Sequence, residues 1–231
     1  MEEKTKIERF STAFRLQHFL LLSSFIVLTV TGLALRFHES WFGKFMINLE
    51  GGVIARGYIH RLAAVVLVLV AVIHFFYVLF TKKGHEEFLL LLPKAKDFSD
   101  AILHAKYNLG LSPDPPRFDK YAPKEKFSYW AVVAGSGLMI ITGLVLWFEA
   151  QAMLVLPKWI FDVAYITHSF QGVVIAAAII LWHLYNVHLN PKKFPMSKTW
   201  LDGKISLDEM KQEHPLEYER EYQKQEVEKK S

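Results

Sequence analysis

Four apolar runs, each of more than twenty residues and set apart by clusters of charge, give this chain its pattern. A bilayer's hydrocarbon core is about 30 Å thick and takes about 20 helical residues to cross. The runs therefore predict four transmembrane helices: span I from Leu16 to Phe37, span II from Ile59 to Phe80, span III from Phe127 to Phe148 and span IV from Phe161 to His188. Between spans I and II lies a short connection with Trp41, Phe42 and the pair Gly51-Gly52. The connection from 81 to 126 is long. Its first part alternates apolar and charged clusters and is broken by Pro93, which predicts helices lying at the membrane interface rather than crossing it. Its second part, SPDPPRFDKYAPKEK, is proline-rich and reads as an extended loop. A short loop with Pro157 and Trp159 joins spans III and IV, and Asn190-Pro191 ends the last span. The expected fold is an all-α membrane protein: a four-helix bundle over residues 1–190, then a charged, partly helical cytoplasmic tail over 191–231.

Composition adds limits. The 231 residues are 52% hydrophobic, and the charges sit outside the long runs, so their distribution decides the class. The net charge of +4 suggests nucleic acid less than it suggests lipid, because the Lys and Arg residues flank membrane segments. No nucleic-acid partner is expected. There is no cysteine, which excludes thiolate-held iron–sulfur clusters, thioether-linked haem and cysteine nucleophiles within this chain. The first apolar run is too long for a signal-peptide core and lacks a small-residue cleavage site. The positive charges of the N-terminus, the 81–126 connection and the tail fall on one side of a four-span topology. Lys44, Arg56 and Lys158 fall on the other, with Arg36 and Arg61 at span ends. The positive-inside rule then predicts a multi-pass protein of the cytoplasmic (inner) membrane with both termini cytoplasmic.

The candidate chemistry lies in histidines within the spans. An ionisable side chain in hydrocarbon is costly and needs a partner. One such histidine is readily satisfied by a nearby carbonyl or hydroxyl; this chain has His60 and His74 on span II, His168 and His183 on span IV, and His18 at the entrance of span I. His60 and His74 are fourteen positions apart, about 21 Å along a helix and within about 40° of one face. His168 and His183 are fifteen apart, about 22 Å and within about 60°. Spans II and IV enter from the same side, so His60 meets His168 at one depth, while His74 or His18 meets His183 at the other. Paired neutral imidazoles can fill both axial positions of a haem iron, which favours electron transfer over oxygen binding. Two such haems b would form a path across the membrane, and a third on His188 stays open. His38, His85, His104 and His214 lie outside the spans and are expected to be solvated. A histidine-lined proton or metal transporter is the competing class. It calls for acidic residues within the spans, and none is read there. A haem-free membrane anchor is the third reading.

The chain resembles the four-helix cytochrome b subunits of membrane formate dehydrogenases and nickel–iron hydrogenases, the formate dehydrogenase gamma subunit above all. The resemblance rests on the surroundings of His18, on Arg56-Gly-Tyr-Ile-His60, on Lys120-Tyr121 through Lys126 into Trp130, on Thr142-Gly143 with Trp147, on His168 followed by Gly172, and on Leu201-Asp-Gly-Lys-Ile through His214-Pro215 and Tyr218. It implies haem ligation by His60 with His168 and by His18 with His183. It also implies a menaquinone site near the inner haem and a redox partner such as formate dehydrogenase, hydrogenase or a multihaem cytochrome c. The sequence departs from that family in three places. The quinone-loop pattern Lys-Tyr-Asn-x-Gly-Gln becomes Lys120-Tyr-Ala-Pro-Lys-Glu125, with a similar Lys106-Tyr-Asn108-Leu-Gly110 upstream. His74 is an extra histidine and remains an alternative inner ligand. Span IV carries one more residue between its histidines.

Overall fold

The computed structural model describes residues 6–191 and 193–221. Among the described residues ten α-helices have both ends defined. They are α1 Thr12–Arg36, α2 Trp41–Leu49, α3 Val53–Phe80, α4 Lys82–Leu91, α5 Ala95–Asn108, α6 Pro123–Trp147, α7 Glu149–Ala152, α8 Lys158–Ala178, α9 Thr199–Asp202 and α10 Leu207–Glu213. Residues 215–221 are also helical. α8 continues to Leu189 in wider turns, so four helices of 25, 28, 25 and 32 residues are long and apolar enough to cross a membrane. This is an all-α, multi-pass membrane architecture. Two three-residue strands, β1 Lys6–Glu8 and β2 Lys204–Ser206, pair antiparallel with Ile7 opposite Ile205.

Two compact units divide the chain. One holds residues 16–75 and 132–197; the other holds the described parts of 1–15, 76–131 and 198–231. In the first, most buried positions are small: Ala34, Thr31, Ser24, Ala63, Ala164 and Ala176 are all nearly inaccessible, with Val70, Phe161 and Arg56 the larger residues among them. Leu62, Leu69, Phe170 and Leu181 are exposed instead. Small residues inside and large apolar ones outside is the arrangement of helices packed in lipid, where burying Leu against Leu gains little and close backbone approach gains most.

The connection after α1 is a helix rather than a loop. Ser40 caps α2, its hydroxyl accepting from the Gly43 amide at 3.0 Å. Gly43 has no room for a side chain, since a Cβ would lie 2.1 Å from the Phe37 carbonyl oxygen. Gly52 donates to Ile47 O and Gly51 to Asn48 O, both glycines at positive φ, which closes α2 in a Schellman turn. α3 then starts at Val53, six residues before the expected span, and so includes Arg56.

The second unit is tied by buried polar groups. Arg9 Nη1 donates to Glu217 at 2.8 Å with both side chains 6% exposed, and its Nη2 donates to Lys120 O at 2.5 Å. Glu87 accepts from Lys120 Nζ at 2.5 Å and from the Tyr121 hydroxyl at 2.6 Å. Asp97 accepts from Lys126 Nζ at 2.8 Å. Burial raises the Glu217 carboxyl above its ordinary value, against the pull of Arg9. Burial likewise raises the Tyr121 phenol well above its own, with the Glu87 charge adding to it. Burial also opposes the charge of Asp119, yet the Arg220 guanidinium outweighs it and holds that carboxyl below its usual value. His214 is not solvated as expected. It is buried, with Nδ1 against Asp119 O at 2.9 Å and Nε2 against Arg9 at 3.1 Å. A carbonyl only accepts and a guanidinium only donates, so His214 is neutral with its proton on Nδ1. His38 and His85 are exposed, and His104 sits edge-on to Phe118.

Candidate functional site

All five candidate histidines lie in the first unit. α3 carries His60 and His74, α8 carries His168, its wide-turn extension carries His183, and α1 carries His18. The fold gathers four of them into two pairs. The His60 and His168 rings have centroids 6.4 Å apart at an interplanar angle of 70°. His18 and His183 are 6.5 Å apart at 41°. An imidazole nitrogen binds a first-row metal at about 2 Å, and a ring radius of roughly 1 Å on each side puts two axial rings about 6 Å apart. Both pairs therefore have the spacing of two ligands on one metal. Of the two inner partners left open by the sequence, the structure sets His18 against His183. His74 Nδ1 donates instead to Gln17 Oε1 at 2.9 Å, on the residue preceding His18.

A second layer supports the first pair. Thr31 Oγ1 lies 2.8 Å from His60 Nδ1, and Thr142 Oγ1 lies 2.9 Å from His168 Nδ1. Gly143, next to Thr142, lets its ring come close, while Gly32, next to Thr31, lies at an ordinary contact distance. A Cβ on Gly32 would be 3.7 Å from His60 Cε1 and one on Gly143 only 3.1 Å from His168 Cε1. Sequence reading noted Thr142-Gly143 but missed Thr31-Gly32, although the signal was present: TGLALRF over 31–37 matches TGLVLWF over 142–148 at five of seven positions.

The arginines at the span ends separate by role. Arg36 lies over the Phe170 ring at 5.2 Å and Arg61 over Trp147 at 5.6 Å, cation–π contacts that anchor them. Arg56 is buried, donates from Nη1 to Thr31 O at 2.6 Å, and has a buried Nε with no hydrogen-bond partner among the described residues. That orphaned donor suits an acidic group carried by a cofactor at His60. Glu50 lies outside the spans. Its carboxyl is raised by burial against the opposing charge of Arg56.

α8 changes its winding before His183. Leu184 N donates to Ile179 O and Asn190 N to Tyr185 O, each five residues back, so Ile179–His183 and Tyr185–Leu189 form π turns. Such a turn absorbs one extra residue without rotating the helix beyond it. The fifteen positions from His168 to His183 then act as about fourteen α-helical ones, which cuts the offset of the two histidines from about 60° to about 40°.

The two loop motifs resolve differently. Lys106-Tyr-Asn108-Leu-Gly110 is a helix end: Leu111 donates to Lys106 O and Gly110 to Tyr107 O, with Gly110 at positive φ. Lys120 and Tyr121 are engaged by Glu87 within the second unit. Two carboxylates fall inside the spanning helices after all, Glu125 in the first turn of α6 and Asp162 near the start of α8. Both lie at helix starts, away from the middle of the hydrocarbon.

These features define a class: a multi-pass helical membrane protein with paired histidines suited to a metal cofactor. The family model for prokaryotic cytochrome b561 matches residues 9–193, and the chain belongs to that family. It is therefore a membrane b-type cytochrome, carrying haem b and transferring electrons. No curated protein matches the chain.

Proposed function

We propose that this chain is the di-haem, quinone-reacting membrane subunit of a respiratory oxidoreductase, similar to the formate dehydrogenase gamma subunit. His60 with His168 holds one haem b, and His18 with His183 holds the other. The observation that carries this reading is the pair of ring separations, 6.4 and 6.5 Å, at two levels of one helical unit. Haem b, when bound, would supply one-electron transfer, with these histidines as the residues that would hold its iron. Around it the chain fixes the imidazole tautomers through Thr31 and Thr142, and Arg56 offers a buried donor to a haem propionate. With His18 and His183 paired, His74 is left to a hydrogen-bonding role with Gln17 rather than to iron.

The His18–His183 end lies toward the cytoplasm, as does the basic 81–126 connection. A menaquinone bound there would exchange two electrons and two protons, with His74 of the same helical unit as the candidate to pass protons. A chain holding both haems would link this end to a partner redox subunit on the opposite face: a formate dehydrogenase, a hydrogenase or a multihaem cytochrome c. Each charge crossing the full field changes the balance by about 2.3 kcal/mol per 100 mV. The test is direct. The purified protein, mixed anaerobically with a reduced menaquinone analogue, shows reduction of its haem b, and His18→Ala loses that reduction. A quinol that leaves the wild-type haem oxidised, while dithionite reduces it, overturns the quinone assignment.

A further inference from the structure

The helix pair α1–α3 and the helix pair α6–α8 carry the same device. Thr31-Gly32-Leu33 and Leu35 on α1, with Phe37 just past its end, recur as Thr142-Gly143-Leu144 and Leu146 on α6, with Phe148 just past its end. Tyr58-Ile59 shortly precedes His60 on α3, and Tyr165-Ile166 shortly precedes His168 on α8. In each pair the first helix supplies a threonine to the histidine of the second. The two contacts differ by 0.1 Å, at 2.8 and 2.9 Å.

The direction of these bonds is set by the hydroxyl's single proton. Thr31 Oγ1 is 2.6 Å from Val27 O, and Thr142 Oγ1 is 2.8 Å from Leu138 O. Two oxygens come that close only with a hydrogen between them. The hydroxyl proton is thus spent on the helix carbonyl four residues back, and the oxygen lone pair is left for the ring. The ring nitrogen must donate, so both histidines hold their proton on Nδ1 and keep a lone pair on Nε2. A donated Nδ1–H also makes the imidazole a more basic ligand.

We infer that Thr31 and Thr142 are matched positioning residues of a duplicated helix pair, fixing His60 and His168 in one tautomer and strengthening both as ligands to the same haem. This rests on the assignment of that haem to His60 and His168. A more basic ligand stabilises the oxidised iron, so loss of either hydroxyl should raise the midpoint potential of that haem alone.

The experiment uses the full-length protein in detergent. Thr31→Val and Thr142→Val, singly and together, are compared with Thr31→Ser and Thr142→Ser by haem content and by optical redox titration. Each valine variant is expected to raise the potential of one and the same haem, the one lost in His60→Ala. The other haem should not move, and the double variant should shift about as much as the two singles combined. Loss of such an outer-layer partner typically weakens metal retention by about 10–100-fold, so partial haem loss is also expected. Serine keeps the hydroxyl and should restore both readouts. Should a valine variant retain no haem, the serine variant decides: wild-type content and potential support the inference, and equal loss overturns it. Two haems with unmoved potentials in the valine variants also overturn it. A wild-type protein without haem would instead sink the assignment on which it rests.

Discussion

Gly32 and Gly143 occupy equivalent places beside the His60–His168 pair, yet they should tolerate a methyl group very differently. In Gly32→Ala the new Cβ would lie 3.7 Å from His60 Cε1, an ordinary van der Waals contact. In Gly143→Ala it would lie 3.1 Å from His168 Cε1, so the ring has to retreat by roughly half an ångström to regain the usual ~3.5–4.0 Å. The ring is not free to do so, because Thr142 holds its Nδ1 at 2.9 Å. Overpacking of this kind costs about 1–3 kcal/mol. The cost should fall on the geometry of one ligand rather than on the whole bundle. Haem content per chain and the redox titration of each haem measure it. Gly143→Ala should lower occupancy of, or shift, one haem, while Gly32→Ala should behave as wild type. Gly135→Ala is the packing control, since its Cβ would meet flexible side-chain atoms and no histidine, Ile175 Cδ1 at 3.0 Å and Gln171 Nε2 at 3.6 Å. Equal behaviour of all three variants would refute the reasoning.

Other outcomes come from the same structure. Arg9→Met strands the Glu217 charge in a site where both partners are 6% exposed, and should destabilise the tail-bearing unit by about 3–5 kcal/mol; Arg9→Met with Glu217→Leu should recover much of this, as read by thermal melting and by proteolysis of residues 198–221. The Asp119 carboxyl lies below its ordinary 3.8 in the folded chain, chiefly because its bonds to Arg220 outweigh the burial that opposes its charge. Its stabilisation is therefore complete above that value and fades as pH falls through the lower folded one; Asp119→Asn should remove this acid-dependent part of tail release, followed by the fluorescence of Trp200. The ring planes of His60 and His168 cross at 70°, against 41° for His18 and His183. Near-perpendicular axial planes bring the iron's π-type d orbitals toward degeneracy, so the oxidised haem lost in His60→Ala should have the more anisotropic low-spin EPR signal; equal anisotropy would contradict these ring orientations.

The spans were legible because twenty apolar residues in a row have few other uses, and the histidines stood out because hydrocarbon makes a polar ring expensive. What escaped reading depends on contacts between distant segments. α2 could have been found from Ser40 and the Gly51-Gly52 pair, both strong end signals, but nine residues full of Trp and Phe read equally well as an interfacial loop. The choice between His18 and His74 could not be made from periodicity, since both lie at the right depth; the packing of α1 settles which ring approaches His183. His214 looked solvated because its neighbours are charged, and only the fold brings Arg9 and the Asp119 carbonyl to its two nitrogens. The Lys106-Tyr-Asn108-Leu-Gly110 stretch shows the reverse error, a chemical motif that serves to end a helix. The fifteen-residue spacing of His168 and His183 is explained only by the π turn at Ile179–His183, which no periodicity reveals.

The most direct measurement is haem stoichiometry, by pyridine haemochrome, across single alanine variants of His18, His60, His74, His168 and His183. The account predicts two haems b in the wild-type chain. His60→Ala and His168→Ala should each lose one and the same haem, His18→Ala and His183→Ala the other, and His74→Ala should keep both. Loss of a haem on removing His74, with His18→Ala unaffected, would contradict it.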